Sequence, residues 1–131
     1  MQLVGLEAFG WIWITLGMAA GVALSPAVIR EDFLGGYASR PRRLLRLGHI
    51  AMVALGVLCV LWTHSAGRLA LAEPWPVVAG AALLIGAVAM PLTCALAAAR
   101  KRATALFAVP VTSLIGAGAL TALGLAMGGL S

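Results

Sequence analysis

Residues 74–99 read PWPVVAGAALLIGAVAMPLTCALAAA, a run of 26 positions without a charged side chain. At about 1.5 Å of rise per residue, a helix of this length exceeds the ~30 Å thickness of the hydrocarbon core of a bilayer. Hydrocarbon offers no partner for backbone N–H and C=O groups, so a segment that crosses it must form its hydrogen bonds internally, as a helix does. The stretch therefore predicts a transmembrane helix.

Three further apolar runs surround this one. The four predicted spans cover about residues 8–29, 47–67, 75–99 and 103–130. The connections between them are short, and no repeat or low-complexity segment divides the chain. We therefore expect residues 1–131 to form a single domain, an all-α integral membrane protein built as a bundle of four transmembrane helices.

The composition excludes several classes of protein. Of all residues 63% are hydrophobic and 10% are charged, against about 25% charged in a typical soluble domain. The mean hydropathy is +1.06. These values exclude a soluble enzyme and a disordered tail. No basic surface interleaved with aromatic residues accompanies the net charge of +5, so we do not expect a nucleic-acid partner.

The basic residues predict an orientation. Eight of the nine flank two loops that lie on the same side of a four-span chain, and only Arg68 lies in the remaining loop. The positive-inside rule assigns the two basic loops to the cytoplasm. We therefore expect antiparallel helices, both termini on the non-cytoplasmic side, and a location in a bacterial cytoplasmic (inner) membrane. The eight residues are Arg30, Arg40, Arg42, Arg43, Arg46, Arg100, Lys101 and Arg102.

Tryptophans and small residues suggest how the spans are held. The four tryptophans, Trp11, Trp13, Trp62 and Trp75, fall towards the outer ends of spans and predict an interfacial aromatic belt. Helices in lipid associate through small residues that allow close approach. The pairs Gly17 with Gly21 and Gly124 with Gly128 have the GxxxG spacing of such contacts.

Polar residues concentrate in the inner half of the predicted bundle. Two interpretations are open: a hydrogen-bonded network that fixes helix packing, or a small polar pocket or docking face open to the cytoplasm. His49 is the ionisable member, and a neutral histidine at that depth needs partners for its ring nitrogens. The candidate cluster consists of His49, Thr93, Cys94, Thr112 and Ser113.

The start of the second span is strongly basic. Arg42, Arg43 and Arg46 are expected near a helix N-terminus, where cations oppose the helix dipole. Lipid phosphates could compensate for these charges, as could Glu31 and Asp32. If the chain held a haem, the same arginines could meet its propionates.

Cofactor ligands are sparse. His49 and His64 lie 15 residues apart on one span, about 22 Å along a helix, so they cannot bind one metal ion together. A haem b would need His49 with Met90 or with a second chain. A copper site could combine His49, Met90 and Cys94, since soft sulfur ligands suit Cu(I). We expect no cofactor, and the identity of any metal stays unknown.

These features favour a structural role over a catalytic one. No span contains an internal Asp, Glu, Lys or Arg, the residues that carry coupling in pumps and transporters. We expect no enzyme but a small accessory, assembly or stabilising subunit of a larger membrane complex, respiratory or photosynthetic in kind. Its partners would be lipid and other membrane subunits, or a second copy held through small-residue helix faces. The alternatives are a haem-b electron carrier using His49 and a small-molecule channel or transporter.

Overall fold

The described part of the protein is helical. A computed structural model describes the backbone of residues 3–128 and their side chains, apart from those of residues 3–4 and 26–28. It contains no strand within residues 3–128. The four α-helices are α1 (Leu3–Ile29), α2 (Arg40–Ala66), α3 (Trp75–Ala99) and α4 (Ala108–Gly128), with 3₁₀ segments at Phe33–Gly35 and Lys101–Phe107.

All four helices are long and apolar enough to cross a membrane, as the uncharged runs predicted. The helix boundaries differ from the ends of the uncharged runs, because some helices extend into the charged connections. In particular, α2 begins at Arg40, with Pro41 in its first turn and Ser39 as an extended N-cap residue. Proline fits there because the first helical N–H groups have no partner within the helix. Residues 129–130 of the fourth predicted span lie outside the described residues.

The fourth span is divided into two kinds of helix. A 3₁₀ segment over Lys101–Phe107 precedes α4, and Pro110 is buried in the first turn of α4. Proline lacks the N–H needed for a hydrogen bond to an earlier turn but has the backbone angle required at a helix start. The change from 3₁₀ to α-helix therefore falls where proline is tolerated.

Helices adjacent in sequence make the main contacts: α1 with α2, α2 with α3, and α3 with α4. Of the most apolar 18 residues in each span, 33% are buried in α2 and 39% in α3, against 11% in α1 and in α4. The middle pair therefore forms the centre of the protein, and the outer pair exposes most of its surface. The buried apolar cluster consists of Leu6, Leu55, Cys59, Trp62, Ala79, Leu83, Ala87 and Ala117.

The predicted glycine pairs lie at close contacts of two kinds. A Cβ atom on Gly17 would lie 2.8 Å from Val53 Cγ2, and one on Gly21 would lie 3.3 Å from His49 Cδ2, so this pair supports the α1–α2 contact. Gly124 instead packs against Leu71, in the connection between α2 and α3. The second pair thus packs against a loop and not against a neighbouring helix.

Candidate functional site

A cavity of about 310 Å³ lies between the C-terminal half of α1 and the first turns of α2. We call it the Arg–His cavity because it brings together three basic side chains that the sequence singled out. Its other walls are mostly apolar. The lining residues are Gly21, Leu24, Ser25, Ile29, Phe33, Arg42, Leu45, Arg46 and His49.

The three basic residues share one face of α2. Their positions differ by four and three residues, the spacing that stacks side chains along a helix. Arg42 is 3% exposed, and its Nη1 donates to the carbonyl oxygen of Arg30 at 3.2 Å. Arg46 places its guanidinium carbon 4.2 Å from the centre of the Tyr37 ring, and that of Arg42 lies 5.5 Å from the same ring. The Tyr37 ring therefore contacts two of the cations that line the cavity.

His49 lies against α1, whereas its predicted partners are residues of the third and fourth spans. Its ring lies against Gly21, where the absence of a side chain makes room for it. Its Nδ1 atom is buried and has no hydrogen-bond partner among the described residues. The neighbouring Gly48, rotated by about 100° around the helix, faces α3 instead: a Cβ atom there would lie 3.2 Å from Cys94 Cβ.

The other four members of the predicted cluster do not line the Arg–His cavity. Thr93 and Cys94 are buried on α3. Thr112 is exposed and donates to the carbonyl oxygen of Ala108 at 2.7 Å, within its own helix. Ser113 is half-buried on α4. The structure therefore places His49 in one cavity with Arg42 and Arg46, and none of these four residues lines that cavity. Arg43, the third predicted basic residue, is exposed and outside the cavity lining.

The candidate metal ligands are also dispersed. Met90 packs against the buried apolar cluster and does not line the Arg–His cavity. Cys94 is a buried free thiol and does not line this cavity either. Within residues 3–128 there is no group of three or more His, Cys, Asp or Glu side chains able to hold a metal ion.

Two tryptophans depart from the predicted aromatic belt. Trp11 and Trp75 are exposed, as interfacial anchors would be. Trp13 Nε1 instead donates to the carbonyl oxygen of Ala87 on α3, and Trp62 Nε1 donates to Thr121 Oγ1 on α4. Both indoles therefore link helices, because a buried N–H needs an acceptor. Position in the sequence alone does not show whether a tryptophan is an interfacial anchor or an interhelical hydrogen-bond donor.

Arg40 is a further residue with a role that its position in the sequence does not reveal. Its Nη1 donates to the carbonyl oxygen of Ala97 at 3.1 Å, and its Nη2 donates to Thr104 Oγ1 at 2.6 Å. One guanidinium thus joins the start of α2 to the end of α3 and to the following 3₁₀ segment. A planar group with several fixed donors suits such a bridge better than an ammonium group does.

A second cavity, of about 420 Å³, opens between α2, α3 and α4. We call it the α4 groove. Its walls are almost entirely apolar, and α4 contributes several small residues to it. The lining residues are Leu55, Leu58, Leu61, Trp62, Ser65, Leu83, Leu114, Ala117, Gly118, Thr121, Ala122 and Leu125.

Comparisons with protein-family models, curated proteins and solved structures found no match.

Proposed function

We propose that this chain is a small, non-catalytic accessory or stabilising subunit of a larger membrane protein complex in a bacterial cytoplasmic membrane. Its four helices are antiparallel, with both termini on the non-cytoplasmic side. The order of helix contacts supports the antiparallel arrangement: Gly17 meets Val53 and the later Gly21 meets the earlier His49. Likewise, Gly48 meets Cys94, and Gly80 meets the later Trp62.

Contacts at the two ends of the molecule support the orientation. Arg40 bonds to Thr104, so the two basic connections lie at one end. At the other end the backbone N–H of Ala70 donates to the carbonyl oxygen of Gly124 at 3.1 Å. Most of the positive charge is thus near one membrane surface, as the positive-inside rule requires of the cytoplasmic side.

The main support for a partner subunit is a stripe of small residues on α4 that no other described helix of this chain covers. Gly118, Ala122 and Ala126 are spaced four residues apart, and all three are exposed. A Cβ atom on Gly118 would meet nothing within 4 Å. Small residues in membrane helices concentrate where another helix approaches closely. Since no described helix of this chain covers the stripe, we assign it to a helix of another subunit.

Affinity purification after gentle solubilisation of native membranes tests this function. Ala122→Leu and Gly118→Leu would fill the stripe at two exposed positions of α4, and Ala54→Leu is the control because it enlarges an exposed residue of α2. We expect the α4 variants to lose the co-purifying subunit at least about fivefold, as overpacking by ~1 kcal/mol would produce. Ala54→Leu should retain it. Equal recovery in all three variants would contradict the proposal, as would purification of the wild type alone.

A further inference from the structure

The Arg–His cavity combines features that suit one class of ligand. Arg42 and Arg46 supply two guanidinium groups to its lining, while Leu24, Ile29 and Leu45 supply apolar walls. Ile29 is 78% exposed, so the apolar side of the cavity is open to the surroundings of α1. A cavity that combines cationic side chains with an open apolar wall fits an amphiphile that carries a negative charge.

Two carboxylates lie close to the cavity in sequence, those of Glu31 and Asp32. Both residues are exposed, and neither forms an ion pair within the described residues. Arg46 rests on Tyr37 and likewise has no ion pair within residues 3–128. The sequence offered two kinds of anion to compensate the arginines, lipid phosphates or the carboxylates of Glu31 and Asp32. The structure favours an external anion.

We propose that the Arg–His cavity binds the phosphate of an anionic phospholipid. The phosphate lies between Arg42 and Arg46, since guanidinium groups match the geometry of phosphate oxygens. An acyl chain follows the apolar wall along Leu24 and Ile29. His49 lies about one helical turn deeper than Arg46, at the level of the lipid's ester groups, and its ring offers a donor to an ester carbonyl.

The depth and position of the cavity agree with a lipid ligand. The three basic residues span about 10 Å along α2, comparable with the thickness of a headgroup region. The cavity lies at the same end as the basic connections, where the cytoplasmic leaflet presents anionic lipids. This inference rests on the proposed orientation but not on the proposed partner subunit, so the lipid site and the partner can fail independently.

Native mass spectrometry of the full chain in mild detergent tests the site with two lipids, phosphatidylglycerol and phosphatidylcholine. Arg46→Gln is the main variant because Arg42 is buried and its substitution also disturbs packing. Arg43→Gln is the matched control, an exposed arginine of the same helix turn outside the cavity. We expect wild type to retain phosphatidylglycerol over phosphatidylcholine, and Arg46→Gln to weaken that retention about fivefold, the scale of one basic residue near anionic lipid. Arg43→Gln should leave it unchanged.

Competition with inorganic phosphate separates a lipid site from a site for a soluble anion. We expect millimolar phosphate to leave the phosphatidylglycerol adduct in place, because the apolar wall contributes to binding. Displacement by phosphate would overturn the lipid assignment. Equal retention of the two lipids would overturn the site itself. So would an equal loss of phosphatidylglycerol in Arg43→Gln and Arg46→Gln, because both results are those expected of lipid held by general surface charge.

Discussion

Gly10 on α1 and Gly56 on α2 form a reciprocal close approach. A Cβ atom on Gly10 would lie 2.8 Å from the carbonyl oxygen of Gly56, and a Cβ atom on Gly56 would lie 2.8 Å from the carbonyl oxygen of Gly10. Two backbones therefore meet without a side chain between them. In a membrane, where apolar burial contributes little to helix association, such an approach is a main source of van der Waals contact.

We expect Gly56→Ala to loosen the docking of α1. The added methyl group would press on two backbone atoms of α1, the Gly10 carbonyl oxygen at 2.8 Å and the Ile14 nitrogen at 3.0 Å, as well as on the Ile14 side chain. Because backbone atoms cannot rotate away, the helices must separate. Overpacking of this kind costs about 1–3 kcal/mol, which unfolding in mixed detergent micelles would measure. Gly116→Ala is the control, since a Cβ atom there meets nothing within 4 Å. Equal effects of the two substitutions would show that the approach is not a packing contact.

The bond from Trp62 to Thr121 predicts a coupling between α2 and α4. Trp62 is 8% exposed, and its indole N–H donates to Thr121 Oγ1 at 3.0 Å. In a double-mutant cycle, Trp62→Phe and Thr121→Val should show a coupling of about 0.6 kcal/mol, the average for interhelical hydrogen bonds in membranes. The cycle of Trp62→Phe with Thr112→Val, an exposed threonine of the same helix, should show none. Additive effects in the first cycle would contradict the bond.

Arg40 should stabilise the 3₁₀ segment at Lys101–Phe107. Arg40→Lys replaces the guanidinium group, whose two nitrogens donate to Ala97 and to Thr104, with an ammonium group that cannot reach both acceptors in the same way. We expect backbone amides of residues 101–107 to exchange with deuterium about fivefold faster, as the loss of ~1 kcal/mol from local opening would produce. Arg43→Lys, at an exposed position, should leave exchange unchanged. Unaltered exchange in Arg40→Lys would show that the bridge does not restrain the segment.

The proposed orientation predicts opposite labelling of two connections. Ala38 and Ala70 are both exposed, so cysteines placed there are accessible to a membrane-impermeant thiol reagent. In intact cells, position 70 should label, whereas position 38 should label only after the membrane is opened. The native cysteines are 0% exposed, which keeps the background low. Labelling of both positions in intact cells would contradict the four-span orientation.

The sequence was sufficient to predict the helices because each uncharged run is as long as a bilayer is thick. It was less informative about their rotation. In α1, α3 and α4 the apolar residues are spread around the whole helix and not concentrated on one face. Hydropathy therefore does not show which face meets a neighbour. His49 illustrates the consequence: the sequence placed it in the inner half of the bundle, but its contact with Gly21 depends on a rotation that no local pattern encodes.

The basic residues show a second limit of sequence reasoning. Their charge predicted a membrane side, but their separate tasks depend on three-dimensional neighbours. Arg40 bridges three elements, Arg46 rests on Tyr37, and Arg43 is exposed. Only the i, i+4, i+7 spacing of Arg42, Arg46 and His49 could have indicated a shared face before the fold was known.

Site-specific photo-crosslinking in native membranes tests most directly whether α4 docks on another subunit. A photoreactive residue at position 122 reports what lies beside the small-residue stripe, and the same residue at position 54 reports an exposed site on α2. The proposed function predicts a discrete adduct with a different protein from position 122, absent from position 54 and lost in the Gly118→Leu background. Adducts with lipid alone at position 122, or the same products from both positions, would contradict it.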